Sequence, residues 1–174
     1  MTQLEKAKFN DVSKEMEEVA KEENINVKDL MKKIAEGKIV IPASTLHQNL
    51  KPMGIGEGLK TKINANLGSS PNRIDINEEL NKLNIAVKYG ADTVMDLSTG
   101  GNIDEIRAAI IKNSTVPIGT VPIYQAAIEQ DTIVDLTESD LIKGIKKHVM
   151  DGVDFITVHS GITKDVIKLS EKRL

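Results

Sequence analysis

The 174-residue sequence has no cysteine and no tryptophan, and only 2 tyrosines and 2 phenylalanines. Without a thiol, the chain by itself can build no disulfide frame, no thiolate zinc site and no iron–sulfur cluster. Aromatic residues make up 2% and hydrophobic residues 40%. The apolar content is therefore mostly Ile, Val, Leu and Ala, which suits parallel strands covered on both faces. Residues 1–23 are charged where a signal peptide would be apolar. No segment approaches the roughly 20 apolar residues of a membrane span. The expectation is a cytoplasmic chain with no membrane partner. There is no excess of one charge either: 23 Lys and Arg against 26 Asp and Glu leave a formal charge of -3, scattered along the chain. That gives no basic face for nucleic acid.

What is present is a repeating pattern. Residues 4–21 carry apolar positions at helical spacing amid charge and predict an amphipathic helix. A second helix is predicted over 27–36, with Leu30, Met31 and Ile34 on one face and Gly37 placed to end it. After Pro42, residues 43–60 hold Pro52, Gly54, Gly56 and Gly58 without periodicity and predict a long loop. The boundary falls there: a helical N-terminal module with its loop over 1–60, and a second unit over 61–174.

From residue 61 short apolar runs alternate with helical segments, the signature of βα units and a parallel sheet. The predicted strands are 62–67, 93–97, 116–121 and 155–158, and the predicted helices are 77–89, 103–112 and 139–150. Gly90 and Gly152 end two of these helices, and Thr137 with Asp140 forms a capping box for the third. A further helix begins near Lys164 and reads as unfinished through 169–174. The fold class expected is α/β, the first half of a (β/α)8 TIM-type barrel preceded by a small helical N-terminal module. Four strands cannot close such a barrel. A doubly wound sheet is the rival, but the first strand is followed by Gly68-Ser69-Ser70-Pro71 in place of a GxGxxG turn, and no Walker loop occurs.

In parallel α/β folds the carboxyl ends of the strands converge on a ligand mouth. All four predicted ends are polar, and they offer Asn66, Met95, Tyr124 and His159. Each also has a purely structural alternative. Asn66 can tie down its own Gly68-Ser69 turn, and Met95 can be core filler. Tyr124, following Pro122, either donates to ligand oxygens or caps the rim; His159 either meets a ligand or is satisfied by backbone. Asp96 and Ser98-Thr99-Gly100 are second choices for a phosphate held by backbone N–H groups. His148, beside Lys146 and Lys147 with no second ligand one turn away, is read as a solvated-face residue without a role.

The same segments resemble the phosphomethylpyrimidine synthase (ThiC) family of thiamine biosynthesis. The residues that carry the likeness are NANLGSS at 64–70, GADTVMDLSTG at 90–100, VPIGTVPIYQA at 116–126 and TVHSG at 157–161. The resemblance implies a lyase that rearranges aminoimidazole ribotide to hydroxymethylpyrimidine phosphate by radical chemistry. Its implied cofactors are S-adenosylmethionine, a 4Fe–4S cluster and zinc. It also implies that Asn66, Met95, Tyr124 and His159 contact the ribotide, with no catalytic or metal-binding residue assigned in this chain.

The family's later SRG and DGLRPG loops, its metal-binding histidines and its CxxCxxxxC motif have no counterpart in these 174 residues. Pro42-Ala43-Ser44-Thr45 also stands where the family usually has an asparagine-rich segment. The chain is therefore expected to be an N-terminal portion with no turnover alone. The expected partners are the ribotide and a second copy of the chain. Two alternatives stand: a relative that turns the same ribotide into hydroxybenzimidazole, and a non-catalytic half-barrel that binds ribotide or assembles through its open edges.

Overall fold

The computed structural model describes residues 1–130 and 132–170. Where one helix is expected over 4–21, there are two, α1 (Gln3–Lys8) and α2 (Lys14–Glu22). Asn10 adopts a positive φ of 56°, and the Ser13 hydroxyl accepts the Met16 N–H at 3.1 Å as the cap of α2. Short polar side chains offer the backbone an alternative to the helical ladder, so Asn10 to Ser13 break the helix despite the apolar spacing around them. α3 (Val27–Ala35) is capped by Asn26, and Gly37, at φ 73°, follows its end as the sequence predicts. Ala7, Met16, Val19, Leu30 and Ile34 of these helices bury a common core with Ile39 and Ile41.

The stretch 43–60 is not wholly irregular, as the loop reading has it. β1 (Ile39–Val40) pairs antiparallel with β2 (Ile55–Gly56). Gly56 is required there, because a Cβ would stand 2.1 Å from the Lys38 carbonyl oxygen. Two-residue strands carry too little periodicity to announce themselves in sequence.

The βα pattern then unfolds in order: β3 (Asn64–Leu67), α4 (Ile76–Lys88), β4 (Thr93–Asp96), α5 (Ile103–Asn113), β5 (Ile118–Thr120), α6 (Pro122–Ile128), α7 (Glu138–Met150), β6 (Phe155–Ile156) and α8 (Lys164–Ser170). The four strands form one parallel sheet in the order β3-β4-β5-β6. They are shorter than predicted, and α6 begins directly after β5 where a strand-end loop is expected. Pro122 accounts for this: its fixed φ suits the first helical turn, and its missing N–H is no loss there. The Thr137–Asp140 capping box forms as predicted, and Gly90 and Gly152 take positive φ beyond α4 and α7. The reading of an unfinished last helix extends into 171–174, outside the described residues.

Side chains alternate across the sheet. One face sends Leu67, Val94, Ile118 and Ile156 into a core with Leu83, Ile106 and Ile110 from α4 and α5. Burying each such aliphatic side chain contributes about 1.5–3 kcal/mol. The other face carries Asn64, Asn66, Thr93, Met95, Gly119 and Phe155, and none of these belongs to that core. Among the described residues no helix is long and apolar enough to cross a membrane.

Candidate functional site

The pairing register places Asn66 beside Met95, Met95 beside Gly119 and Gly119 beside Phe155, so one row crosses the open face of the sheet. The Phe155 ring lies over Gly119, where a Cβ would come within 2.2 Å of it. Asn66 does not tie down the Gly68 turn: the Gly68 N–H donates instead to the Glu79 carboxylate at 2.8 Å. The Asn66 side-chain oxygen accepts from Asn64 Nδ2 at 2.8 Å, and Asn64 Oδ1 accepts from the Thr93 hydroxyl at 2.9 Å. Met95 is only partly buried, and its thioether accepts weakly from the Thr157 hydroxyl at 3.8 Å. The core-filler reading of Met95 thus does not describe its surroundings.

Tyr124 sits in the first turn of α6 with 40% of its surface exposed. His159 is exposed, three residues past β6, and among the described residues no hydrogen bond to its ring is seen. The structure therefore brings Asn66 and Met95 side by side, and sets Tyr124 and His159 on the segments leaving the next two strands.

The loops after β3 and β4 are laced together. Leu97 N–H donates to the Leu67 carbonyl at 2.8 Å, Thr99 N–H to the Ser69 carbonyl at 2.9 Å, and the Ser69 hydroxyl to the Gly100 carbonyl at 2.6 Å. Gly100 packs so closely that a Cβ would meet the Ser70 backbone at 2.4 Å. Burial raises the Asp96 pKa, although the Ser98 N–H and hydroxyl both donate to its carboxylate. The Ser98 and Thr99 N–H groups are consumed inside the fold. The first bonds back to β4 and the second to the loop after β3, which leaves neither N–H for a phosphate.

His148 corrects its solvated-face reading. It is 3% exposed, with Nδ1 2.8 Å from the Thr120 hydroxyl and Nε2 2.9 Å from Gln125 Oε1. Burial, reinforced by the Arg107 guanidinium 3.2 Å away, lowers its pKa to about 4, so the ring is neutral at pH 7. Arg107 is fully buried and donates to Gln125, Asp104 and Asp151 at 2.7, 2.6 and 2.5 Å. Lys147 joins at 2.6 Å from Asp104 and, with Gln125 and Arg107, holds the Asp104 pKa down at about 2 against the opposing effect of burial. This network locks α5, α6 and α7 around the carboxyl end of β5, directly beneath the turn that presents Tyr124. The helical spacing Leu141, Ile145, His148 puts the histidine on the inward stripe of α7, a signal that the adjacent lysines obscure.

Sequence reasoning also passed over His47. Its ring is buried, with Nδ1 2.7 Å from the Asp154 carboxylate and Nε2 3.0 Å from the Ser114 carbonyl. Burial alone would push the ring toward neutrality, but the bonds to Asp154 and to Ser114 outweigh it and raise the pKa. Asp154 also accepts the Ser44 and Ile118 N–H groups, both at 2.8 Å. The long 43–60 segment is thereby tied to the amino-terminal ends of β5 and β6.

With no cysteine in the chain, and no cluster of three His, Asp or Glu side chains able to hold a metal among the described residues, the donor set does not fit an iron–sulfur cluster or a zinc ion. A family model described as the radical SAM ThiC family matches residues 2–174. The phosphomethylpyrimidine synthase of Carboxydothermus hydrogenoformans is 53% identical over 176 residues, covering 99% of this chain and 41% of its own length. Phosphomethylpyrimidine synthase 1 of Methanosphaera stadtmanae is 56% identical over 172 residues, with 97% and 40% covered. The enzyme of Pyrococcus furiosus is 47% identical over 172 residues with the same coverage. The chain thus spans about 40% of the length of the curated relatives it matches.

Proposed function

This chain belongs to the radical SAM ThiC family, and from that premise we propose that it forms one wall of the substrate site of a phosphomethylpyrimidine synthase. The substrate is aminoimidazole ribotide, and the complete reaction yields hydroxymethylpyrimidine phosphate for thiamine biosynthesis. The observation that carries this reading is the Asn66–Met95 pair, side by side on the open polar face of a parallel sheet. Tyr124 and His159 leave the next two strands toward the same carboxyl-terminal mouth. Residues 61–174 are read as the first half of a (β/α)8 barrel and residues 1–60 as the module packed beneath it, with the open sheet edges available to further strands or to a second copy in a homodimer.

In this reading Asn66 and Tyr124 bind ribotide oxygens or nitrogens, Met95 packs against the ring, and His159 donates or accepts at the mouth. S-adenosylmethionine, the 4Fe–4S cluster and zinc belong to the complete family reaction, and the thiolates for the cluster must come from polypeptide other than these 174 residues. The 174 residues alone therefore have no turnover, and the setting is cytoplasmic.

Isothermal titration of aminoimidazole ribotide into the protein at its natural length tests the site. Asn66→Ala is expected to weaken binding about tenfold or more, the scale of a lost hydrogen bond to a desolvated ligand. Wild-type affinity in that variant, or no ribotide binding by the parent, overturns the proposal. Product formed by the 174 residues with S-adenosylmethionine and a reductant overturns the claim that they are inactive.

A further inference from the structure

We infer that Thr93 and Asn64 are positioning residues that hold the Asn66 amide with its NH2 group toward the ligand, so that the ligand atom meeting Asn66 is a hydrogen-bond acceptor. The inference rests on the reading of Asn66 as a ribotide contact and adds the polarity of that contact. Asn64, Asn66 and Thr93 share the open face, with Asn64 the register partner of Thr93. Two hydrogen bonds link them in series: Thr93 Oγ1 donates to Asn64 Oδ1 at 2.9 Å, and Asn64 Nδ2 donates to Asn66 Oδ1 at 2.8 Å.

An amide chain of this kind can run in either direction, because each carboxamide can be turned over and a hydroxyl can donate or accept. The Thr93 hydroxyl breaks the symmetry. Thr93 is 4% exposed, and among the described residues Asn64 Oδ1 is the acceptor its O–H meets. Running the chain backwards would make Asn64 donate to Thr93 and leave a buried O–H with nowhere to donate, which carries the desolvation penalty of an unmade bond.

In the direction observed, no buried side-chain nitrogen or oxygen among the described residues lacks a partner. Asn66 Oδ1 is already engaged, the residue is exposed, and among the described residues Nδ2 has no hydrogen-bond partner, so its N–H bonds can point at a ligand. The wall therefore selects an acceptor at this point, such as a phosphate or hydroxyl oxygen or an unprotonated ring nitrogen. A ligand group that can only donate is disfavoured there. Thr93 bonds Asn64 and Asn64 bonds Asn66, so both act through Asn66.

The test measures aminoimidazole ribotide affinity in the protein at its natural length for four variants. Thr93→Val keeps the shape and removes the O–H, freeing the amide chain to reverse, and is expected to weaken binding about three- to tenfold. Thr93→Ser restores the hydroxyl and is expected to stay within about twofold of the parent. Asn64→Asp leaves only acceptors next to Asn66, forces its NH2 inward and its oxygen toward the ligand, and is expected to weaken binding at least as much as Thr93→Val.

Parental affinity in either Thr93→Val or Asn64→Asp overturns the inference, as does equal weakening in Thr93→Ser and Thr93→Val. If Thr93→Val does not fold, Asn64→Asp, at an exposed position, decides alone. Asn66→Ala separates the two levels: if it binds like the parent, the site itself is misread and the orientation falls with it. If it loses binding while the other variants keep theirs, only the orientation falls.

Discussion

His47 and His148 are nearly equally buried, at 5% and 3% exposure, and both ring nitrogens of each are engaged, yet their pKa values are shifted in opposite directions. Burial disfavours the cation in both. The difference lies in the partners. His47 faces a carboxylate at one nitrogen and a backbone carbonyl at the other, and neither can donate, so the ring supplies both protons. His148 faces a hydroxyl and an amide that can adapt, with a guanidinium beside it. The amino-terminal end of the sheet is thus fastened by an ion pair, while the carboxyl end rests on a neutral imidazole within a balanced network.

The largest effect is expected from removing the anion of the first arrangement. Asp154→Ala strips three donors at once, the His47 Nδ1–H and the Ser44 and Ile118 N–H groups. Breaking a buried ion pair from one side costs about 3–5 kcal/mol, to be read from urea unfolding. A cost below about 1 kcal/mol, the scale of an exposed pair, would break the contrast, because it would mean that His47 does not depend on its carboxylate.

The second test uses pH, and the two histidines predict opposite slopes. His148 has a folded pKa of about 4, below its ordinary 6.5. The unfolded chain therefore takes up a proton between those values while the folded chain does not. Its contribution to stability is complete above about pH 6.5 and is lost as pH falls toward 4, amounting to about 3 kcal/mol. His47 has a raised folded pKa, so its contribution is complete below about pH 6.5 and is lost as pH rises through the folded value. Unfolding free energies measured across this range should show His148→Gln losing less stability than the parent on the acid side, and His47→Gln losing less on the alkaline side. Parallel curves for the two variants would remove the distinction.

How much of this was legible in the sequence follows from the length scale of each signal. The four βα units were, because Ile103 to Asn113 and Glu138 to Met150 run long enough for helical periodicity to register, and short segments holding Val94, Ile118 and Ile156 alternate with the helices. Asn66 stood out as a polar residue at a strand end, whereas Met95, core filler by its residue type, stood out only through the family likeness. The break at Asn10 to Ser13 was not, since capping side chains compete with an apolar spacing that still looks helical. The short β2 strand and the helix at Pro122 were hidden for want of length. His47 and His148 were missed for a different reason: their partners, Asp154 and Thr120, lie 107 and 28 residues away, and no local pattern reports a long-range hydrogen bond.

The smallest effect concerns the Thr120 hydroxyl and sharpens the neutral side of the contrast. His148 Nε2 lies 2.9 Å from Gln125 Oε1, an acceptor whose orientation is fixed because Gln125 Nε2 donates to Asp104 and Glu129, each at 2.8 Å. Arg107 Nη1 lies 3.2 Å from the same nitrogen but has Gln125 Oε1 as its acceptor at 2.7 Å, and an unprotonated Nε2 would set its lone pair against that oxygen, so the Nε2–H tautomer is the expected one. Nδ1 is then the acceptor, and the 2%-exposed Thr120 hydroxyl is its donor. Thr120→Val leaves Nδ1 without a partner and is expected to cost about 1 kcal/mol, with Thr120→Ser restoring most of it. Nitrogen chemical shifts of the His148 ring should report the Nε2–H tautomer in the parent. A ring found protonated on Nδ1 would instead make Thr120 the acceptor and leave Gln125 facing a lone pair. The Nε2 lone pair would then accept from the Arg107 guanidinium 3.2 Å away, and the ring would donate to Thr120 in place of accepting from it.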